Sequence, residues 1–189
     1  FIEEIIVNVY DGDNYVYSKS LQIIVGETEI LVNEDFEQEN DWYVGSLNDD
    51  ATAGIWERGV PFATYDESGN LVQTDSDHTE FGTYCMFTEN SNNPNSPGQG
   101  DVDGGKTTLS SPIYNLSDYN GAIVSYWKWY TNNQGNNPGS DIWSVDVSEN
   151  GGLTWIELEN INNSNNYWEY QQFYLNDYIQ DFSEIQFRF

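Results

Sequence analysis

The sequence is built from short runs of β-branched and aromatic residues, which clusters of Gly, Asn, Asp and Pro separate from one another. No window sustains the apolar i, i+3, i+4, i+7 spacing that is typical of an amphipathic helix. Alanine, the strongest helix former, occurs only at positions 51, 53, 63 and 122. The pattern therefore predicts an all-β chain of antiparallel strands.

Charge and aromatic content limit the classes of protein that fit. The chain has 32 acidic residues against 5 Lys and Arg, which gives a formal net charge of −27. Such a charge repels phosphate backbones, so we expect no nucleic-acid partner. Trp, Tyr and Phe make up 16% of the 189 residues, which indicates a packed core rather than a disordered chain. No apolar run approaches the roughly 18 residues of a membrane-spanning helix, so membrane insertion is not expected either.

We predict two parts along the chain. Residues 1–28, with a turn at Asp11–Asn14, are predicted to be the C-terminal strands of an Ig-like domain. Residues 29–189 are predicted to form an antiparallel β-sandwich of the jelly-roll type, truncated at its C-terminus. The strands predicted for this second part are Glu29–Glu34, Gly54–Arg58, Thr83–Thr88, Lys106–Leu109, Ala122–Tyr130, Ile142–Ser148, Trp155–Leu158, Tyr167–Leu175 and Glu184–Phe189.

Several acidic residues have the spacing of calcium ligands. Asp101 and Asp103 alternate in a glycine-rich loop, and calcium binds six to eight oxygens at about 2.3–2.6 Å. In a chain with 32 acids, many such pairs arise by chance and are simply solvated. A second alternating pair, Asp75 and Asp77, and the length of the loop over residues 89–105 favour calcium. We predict one calcium site, anchored by Asp101 and Asp103, to which Asp77 and Glu37 contribute and for which Asp75 and Asp141 are further candidates.

We expect no catalytic residues in this chain. His78 is the single histidine, so a zinc site with two or three histidines is excluded. Cys85, the single cysteine, cannot form an internal disulfide and lies in a predicted strand, where a buried inert thiol is expected. An enzyme built around His78 remains as the least favoured alternative.

The aromatic strand Ser125–Tyr130 allows two interpretations. Alternation places Trp127 and Trp129 on one face and Tyr126, Lys128 and Tyr130 on the other. We expect the Trp pair in the core and the Tyr face half-exposed. In the alternative interpretation, Tyr126 and Tyr130 form a platform on which a sugar stacks.

The segment Ser148–Trp155 has the pattern of an Asp-box hairpin, with Asn150 in place of Asp. The pattern predicts a turn whose side chain bonds its own backbone, with glycine supplying the unusual dihedral angle. Such a turn stabilises a fold and indicates no ligand.

A set of motifs, taken in order, resembles one family. The motifs are Glu34–Glu37, Asp50–Arg58, Asp77–Thr79, Gly100–Pro112 and Ser148–Trp155. Together they are similar to the MAM-like jelly-roll module of secreted bacterial metallopeptidases, notably zinc carboxypeptidases and immune inhibitor A-like enzymes, many of them from Bacteroidetes. The resemblance covers about residues 29–189 and implies a calcium-stabilised β-sandwich. It also implies that the catalytic zinc ligands lie upstream, outside this sequence.

The sequence thus predicts a non-catalytic, calcium-stabilised accessory module of a secreted or cell-surface bacterial protein whose parent is a zinc metallopeptidase. Its partners would be neighbouring domains of the same chain and a protein substrate or glycan. The alternative is a carbohydrate-binding or adhesin module.

Overall fold

The computed structural model describes residues 2–24, 28–135 and 137–189. It confirms an all-β chain, and every pairing between its named strands is antiparallel. Thirteen strands and one 3₁₀ turn, Leu175–Asp177, make up its regular structure. The strands are β1 (Ile2–Asp11), β2 (Asn14–Ile24), β3 (Tyr43–Val44), β4 (Trp56–Gly59), β5 (Thr64–Tyr65), β6 (Leu71–Gln73), β7 (Cys85–Thr88), β8 (Leu109–Ser110), β9 (Ile123–Tyr130), β10 (Trp143–Ser148), β11 (Ile156–Ile161), β12 (Asn165–Tyr174) and β13 (Gln186–Arg188).

The chain divides into two compact units, Phe1–Glu34 and Asp35–Phe189. The sequence-based boundary between residues 28 and 29 lies slightly upstream of this division. In the first unit, β1 and β2 form one hairpin, which closes at Gly12 with a φ of 62°. Large apolar side chains are exposed along the hairpin, namely Ile5, Ile6, Val7, Tyr10, Tyr15, Val16 and Tyr17. That this hairpin ends an Ig-like domain stays a prediction.

In the second unit, side chains of two sheets meet in one core. The larger sheet has the strand order β11-β10-β13-β8-β3, and β9 pairs with β12 in the smaller one. Val145 and Val147 of β10 are fully buried in this core, and Val124 of β9 and Phe173 of β12 pack against it. This face-to-face packing is that of a β-sandwich. The jelly-roll connectivity remains a prediction.

In the second unit, every strand of four or more residues overlaps a predicted strand, whereas three of the five shorter strands were missed. The predicted strand Glu29–Glu34 is wrong, because residues 28–35 form no strand. Strands β3, β5 and β6 were not predicted, since runs of two or three residues carry no alternation. Among the described residues, no helix has the length and apolar character needed to cross a lipid bilayer.

The hairpin between β10 and β11 has the predicted Asp-box turn. Asn150 Oδ1 accepts the backbone N–H of Thr154 at 2.9 Å, and Asn150 Nδ2 donates to Thr154 Oγ1 at 2.8 Å. The N–H of Gly152 donates to Ser148 Oγ at 2.8 Å, and Gly151 and Gly152 have φ values of 63° and 86°. Asn150 therefore makes the side-chain hydrogen bonds of this turn, at the position where the pattern has aspartate.

Candidate metal centre

The contacts described by the structure place five of the six predicted calcium ligands in two groups. Glu37 and Asp77 each act electrostatically on the Cys85 thiol, so both lie within electrostatic range of it. Asp101 interacts with Asp141 and Asp103. The sixth residue, Asp75, is exposed. Over the described residues, no three or more His, Cys, Asp and Glu side chains are gathered in an arrangement that holds a metal.

Glu37 is held by the start of β7. Its Oε1 atom accepts the backbone N–H groups of Thr83 at 2.6 Å and Tyr84 at 2.8 Å. The preceding residue, Phe36, has a φ of 58°, and its carbonyl accepts Arg58 Nε at 2.5 Å. The Arg58 guanidinium also lies over the Tyr84 ring, 4.4 Å from its centroid. These contacts fix the carboxylate of Glu37 beside the loop that leads into β7.

Asp77 carries a buried carboxylate oxygen without a hydrogen bond. Its Oδ2 atom is inaccessible to water and has no partner within the described structure. An unpaired buried acceptor costs about 1–3 kcal/mol, and more when it is charged. A cation bound at this oxygen would supply the missing partner. The orphaned oxygen is therefore the feature of this group that a hard cation would satisfy.

Gly82 makes room for this oxygen. A Cβ atom added at Gly82 would lie 2.1 Å from Asp77 Oδ2, closer than any real contact. The loop is turned toward Asp77 by a hydrogen bond of 2.8 Å from the Gly82 N–H to the carbonyl of Thr79. A side chain at this position would require Asp77 to move, and it would also crowd the Cβ atom of Thr79, 2.9 Å from the added Cβ.

Cys85 lies beside the same group and is inert at neutral pH. The residue is buried, with 8% of its surface exposed. Burial, followed by the charges of Asp77 and Glu37, raises the pKa of its thiol to about 12. The thiol is consequently protonated, as a structural cysteine is expected to be.

The second group lies where two long loops meet. Burial and then the charges of Asp141 and Asp103 raise the pKa of Asp101, and burial and then Asp103 raise that of Asp141. A Cβ at Gly135 would lie 2.8 Å from Asp101 Oδ2, which brings the loop over residues 131–140 against Asp101. Like charges held this close favour protonation or a bound cation.

Tyr126 and Tyr130, the predicted sugar platform, are turned toward the protein and not toward solvent. Tyr126 packs against the core and its hydroxyl donates to Glu159 Oε2 at 2.6 Å, and burial followed by this bond raises its pKa. Tyr130 is half-buried, with its hydroxyl donating to the carbonyl of Asp141 at 3.1 Å. Trp127, expected in the core, is instead 45% exposed. The expectation is therefore wrong for Trp127, whereas Trp129 is half-buried and its Nε1 donates to the carbonyl of Val72 at 2.6 Å.

A buried polar cluster, which sequence analysis missed, explains the exposure of Trp127. Lys128 has a side chain that is 1% exposed and forms an ion pair with Glu159 of β11. Trp143 Nε1 donates to the same carboxylate at 2.9 Å. Glu169 Oε2 lies 3.6 Å from Lys128 Nζ. Glu159, the counter-ion of Lys128, lies inside the sandwich. The Lys128 side chain therefore points inward, and the side chain of its neighbour Trp127 points outward.

Comparison with family models gives no match, and comparison with curated proteins and with solved structures gives no significant one. The similarity to MAM-like modules consequently rests on the motifs of the sequence alone, and it remains a prediction.

Proposed function

We propose that residues 35–189 form a non-catalytic accessory module that calcium stabilises, within a secreted, multidomain bacterial protein such as a zinc metallopeptidase. The observation that carries the calcium proposal is the buried, unpaired Oδ2 atom of Asp77. Calcium binds six to eight oxygens in flexible geometry, so backbone carbonyls and water would complete the coordination around Asp77.

The acidic group of Asp101, Asp103 and Asp141 supports a second bound cation. Burial and then the charges of Asp141 and Asp103 raise the pKa of Asp101, and burial and then the charge of Asp103 raise that of Asp141, so the ionised carboxylates repel. A divalent ion would relieve this repulsion and tie together the loops over residues 89–105 and 131–140. The role of the module is then mechanical, since bound calcium holds long polar loops in place for neighbouring domains.

The test is thermal unfolding of the whole chain with excess calcium and with EGTA. At a hundredfold excess over Kd, binding to the folded state alone contributes about 2.7 kcal/mol, which lowers Tm by about 5–10 °C when calcium is removed. Asp77→Asn is expected to reduce this difference, and Asp101→Asn with Asp103→Asn reports on the second group. The matched control is Glu67→Gln, an exposed acid outside both groups, which should keep the full difference.

Asp77→Asn gives a second readout that is independent of calcium binding. In EGTA the variant should be about as stable as the parent, because the buried Oδ2 atom that it replaces has no hydrogen-bond partner to lose. Equal Tm values with calcium and EGTA, for protein first stripped and then reloaded, would reject the calcium proposal. The upstream coding sequence tests the parent protein, since a zinc-peptidase domain is expected there.

A further inference from the structure

One face of the smaller sheet presents aromatic and neutral polar side chains to solvent. In the antiparallel register of β9 and β12, Ile123 lies opposite Tyr174, Ser125 opposite Gln172, and Trp127 opposite Tyr170. Directly opposite residues share a face, as do residues two apart along a strand. The β9–β12 outer face is defined here by these six residues, none of which carries a charge: Ile123, Ser125, Trp127, Tyr170, Gln172 and Tyr174.

Two rings dominate this face. Trp127 is 45% exposed and Tyr170 is 46% exposed, with ring centroids 5.2 Å apart and planes inclined by 53°. His78 stacks on Trp127 at 3.7 Å with an angle of 15° between the rings. The imidazole occupies one side of the indole and fixes its orientation. A ligand can therefore meet only the remaining surface of the indole, next to Tyr170.

Polar groups without charge stand beside the rings. The Tyr170 hydroxyl donates to Gln172 Oε1 at 3.0 Å, which holds the amide along the strand. Opposite Gln172, Ser125 adds an exposed hydroxyl. Aromatic rings with a few placed amide and hydroxyl groups are typical of sites that bind ligands with both apolar and hydrogen-bonding surfaces.

The net charge of the chain restricts which of these ligands can bind to the β9–β12 outer face. The net charge of −27 repels polyanions, so anionic polysaccharides are disfavoured. None of the six residues supplies a carboxylate to pair with a polycation. We infer that the β9–β12 outer face binds a neutral polysaccharide, whose pyranose C–H faces pack on Trp127 and Tyr170 while its hydroxyls bond Gln172 and Ser125. This inference is independent of the calcium proposal.

The experiment is native affinity electrophoresis of the whole chain in gels that contain one polysaccharide each. The neutral probes are hydroxyethylcellulose, laminarin, galactomannan and soluble starch, and alginate is the anionic probe. We expect retardation by at least one neutral probe and none by alginate. Trp127→Ala and Tyr170→Ala should each weaken binding about tenfold or more, as the loss of a central aromatic contact does. Gln172→Ala should weaken it less.

The matched control is Leu153→Ala, which removes an apolar side chain that is 84% exposed elsewhere on the sandwich. It should bind like the parent chain. Gln172→Ala keeps the test decisive if the ring variants unfold, because it leaves both rings in place. Failure of all four neutral probes overturns the inference, as does equal retardation of the Tyr170→Ala and Gln172→Ala variants. Retention on immobilised polylysine that Trp127→Ala abolishes would identify a cationic ligand and overturn it as well.

Discussion

Lys128 and Glu159 form an ion pair inside the sandwich, where 1% of the lysine side chain and 10% of the glutamate side chain are exposed. Glu159 joins β11 to β9, and it also accepts hydrogen bonds from Tyr126 and Trp143. Within the core, this carboxylate thus binds one cation and two neutral donors. Its full set of partners offsets the cost of burying the charge.

Lys128→Met is expected to destabilise the sandwich by about 3–5 kcal/mol, because it leaves the buried carboxylate of Glu159 without its cation. Lys128→Met with Glu159→Gln should recover much of this loss, since glutamine still accepts from Tyr126 and Trp143 without a charge. Urea unfolding measures both free energies. Lys106→Met, at an exposed lysine, is the control and should change stability little. A double variant no more stable than Lys128→Met alone would contradict the account.

Gly82→Ala is expected to cost about 1–3 kcal/mol, because the new methyl group would overlap Asp77 Oδ2. In an Asp77→Ala background, the same change should cost clearly less, so the double-mutant cycle should show coupling. Gly69→Ala provides the comparison, since a Cβ at Gly69 meets nothing within 4 Å and only its φ of 82° is strained. Gly69→Ala should therefore show no coupling to Asp77.

Cys85 should resist a thiol reagent such as DTNB in the folded chain and react once the chain unfolds. The folded thiol has its pKa raised from 9.0 to about 12, so above pH 9 the folded state holds a proton that the unfolded state loses. The free energy of unfolding should therefore fall as the pH rises from 9 toward 12. Cys85→Ala should show a smaller fall in urea titrations at pH 8 and pH 10.5. Rapid labelling of the native chain at pH 8 would refute the burial of this thiol.

Asn150→Ala should lower the free energy of unfolding by about 1–3 kcal/mol, because the turn between β10 and β11 loses its side-chain hydrogen bonds. Asn150→Asp should be tolerated better, since a carboxylate oxygen still accepts the Thr154 N–H. Asn163→Ala, at an exposed asparagine, is the control for both. Equal losses for Asn150→Ala and Asn150→Asp would argue against the bonding role of the side chain.

Sequence patterns predicted the long strands because their apolar content is visible locally. Ala122–Tyr130 was predicted and Ile123–Tyr130 is observed, and Trp143–Ser148 begins one residue after its predicted start. The predicted burial of Trp127 failed because the partner of Lys128 is 31 residues away, at Glu159. Strand β3 is defined by its pairing with β8, and no pattern within its two residues predicts a strand.

The sequence indicated which acids could belong to the candidate metal centre, but it did not indicate which of them lie close together. Glu37 and Asp77 were recognised as acids near conspicuous motifs, but their placement around Cys85 depends on the path of the loop into β7. The burial of Asp77 Oδ2 depends on Gly82, a residue with no chemistry of its own. Sequence analysis consequently selected the acids but combined them in one site, whereas the described interactions relate Asp77 to Cys85 and Asp101 to Asp103 and Asp141.

The buried lysine also has a consequence for the surface. Side chains alternate along a strand, so sliding β9 by one residue against its neighbours would carry Lys128 to solvent and Trp127 inside. The ion pair with Glu159 penalises that slip, since it would strand a carboxylate in the core. The buried charge of Lys128 thereby fixes the register of β9, and this register places the indole of Trp127 at the protein surface.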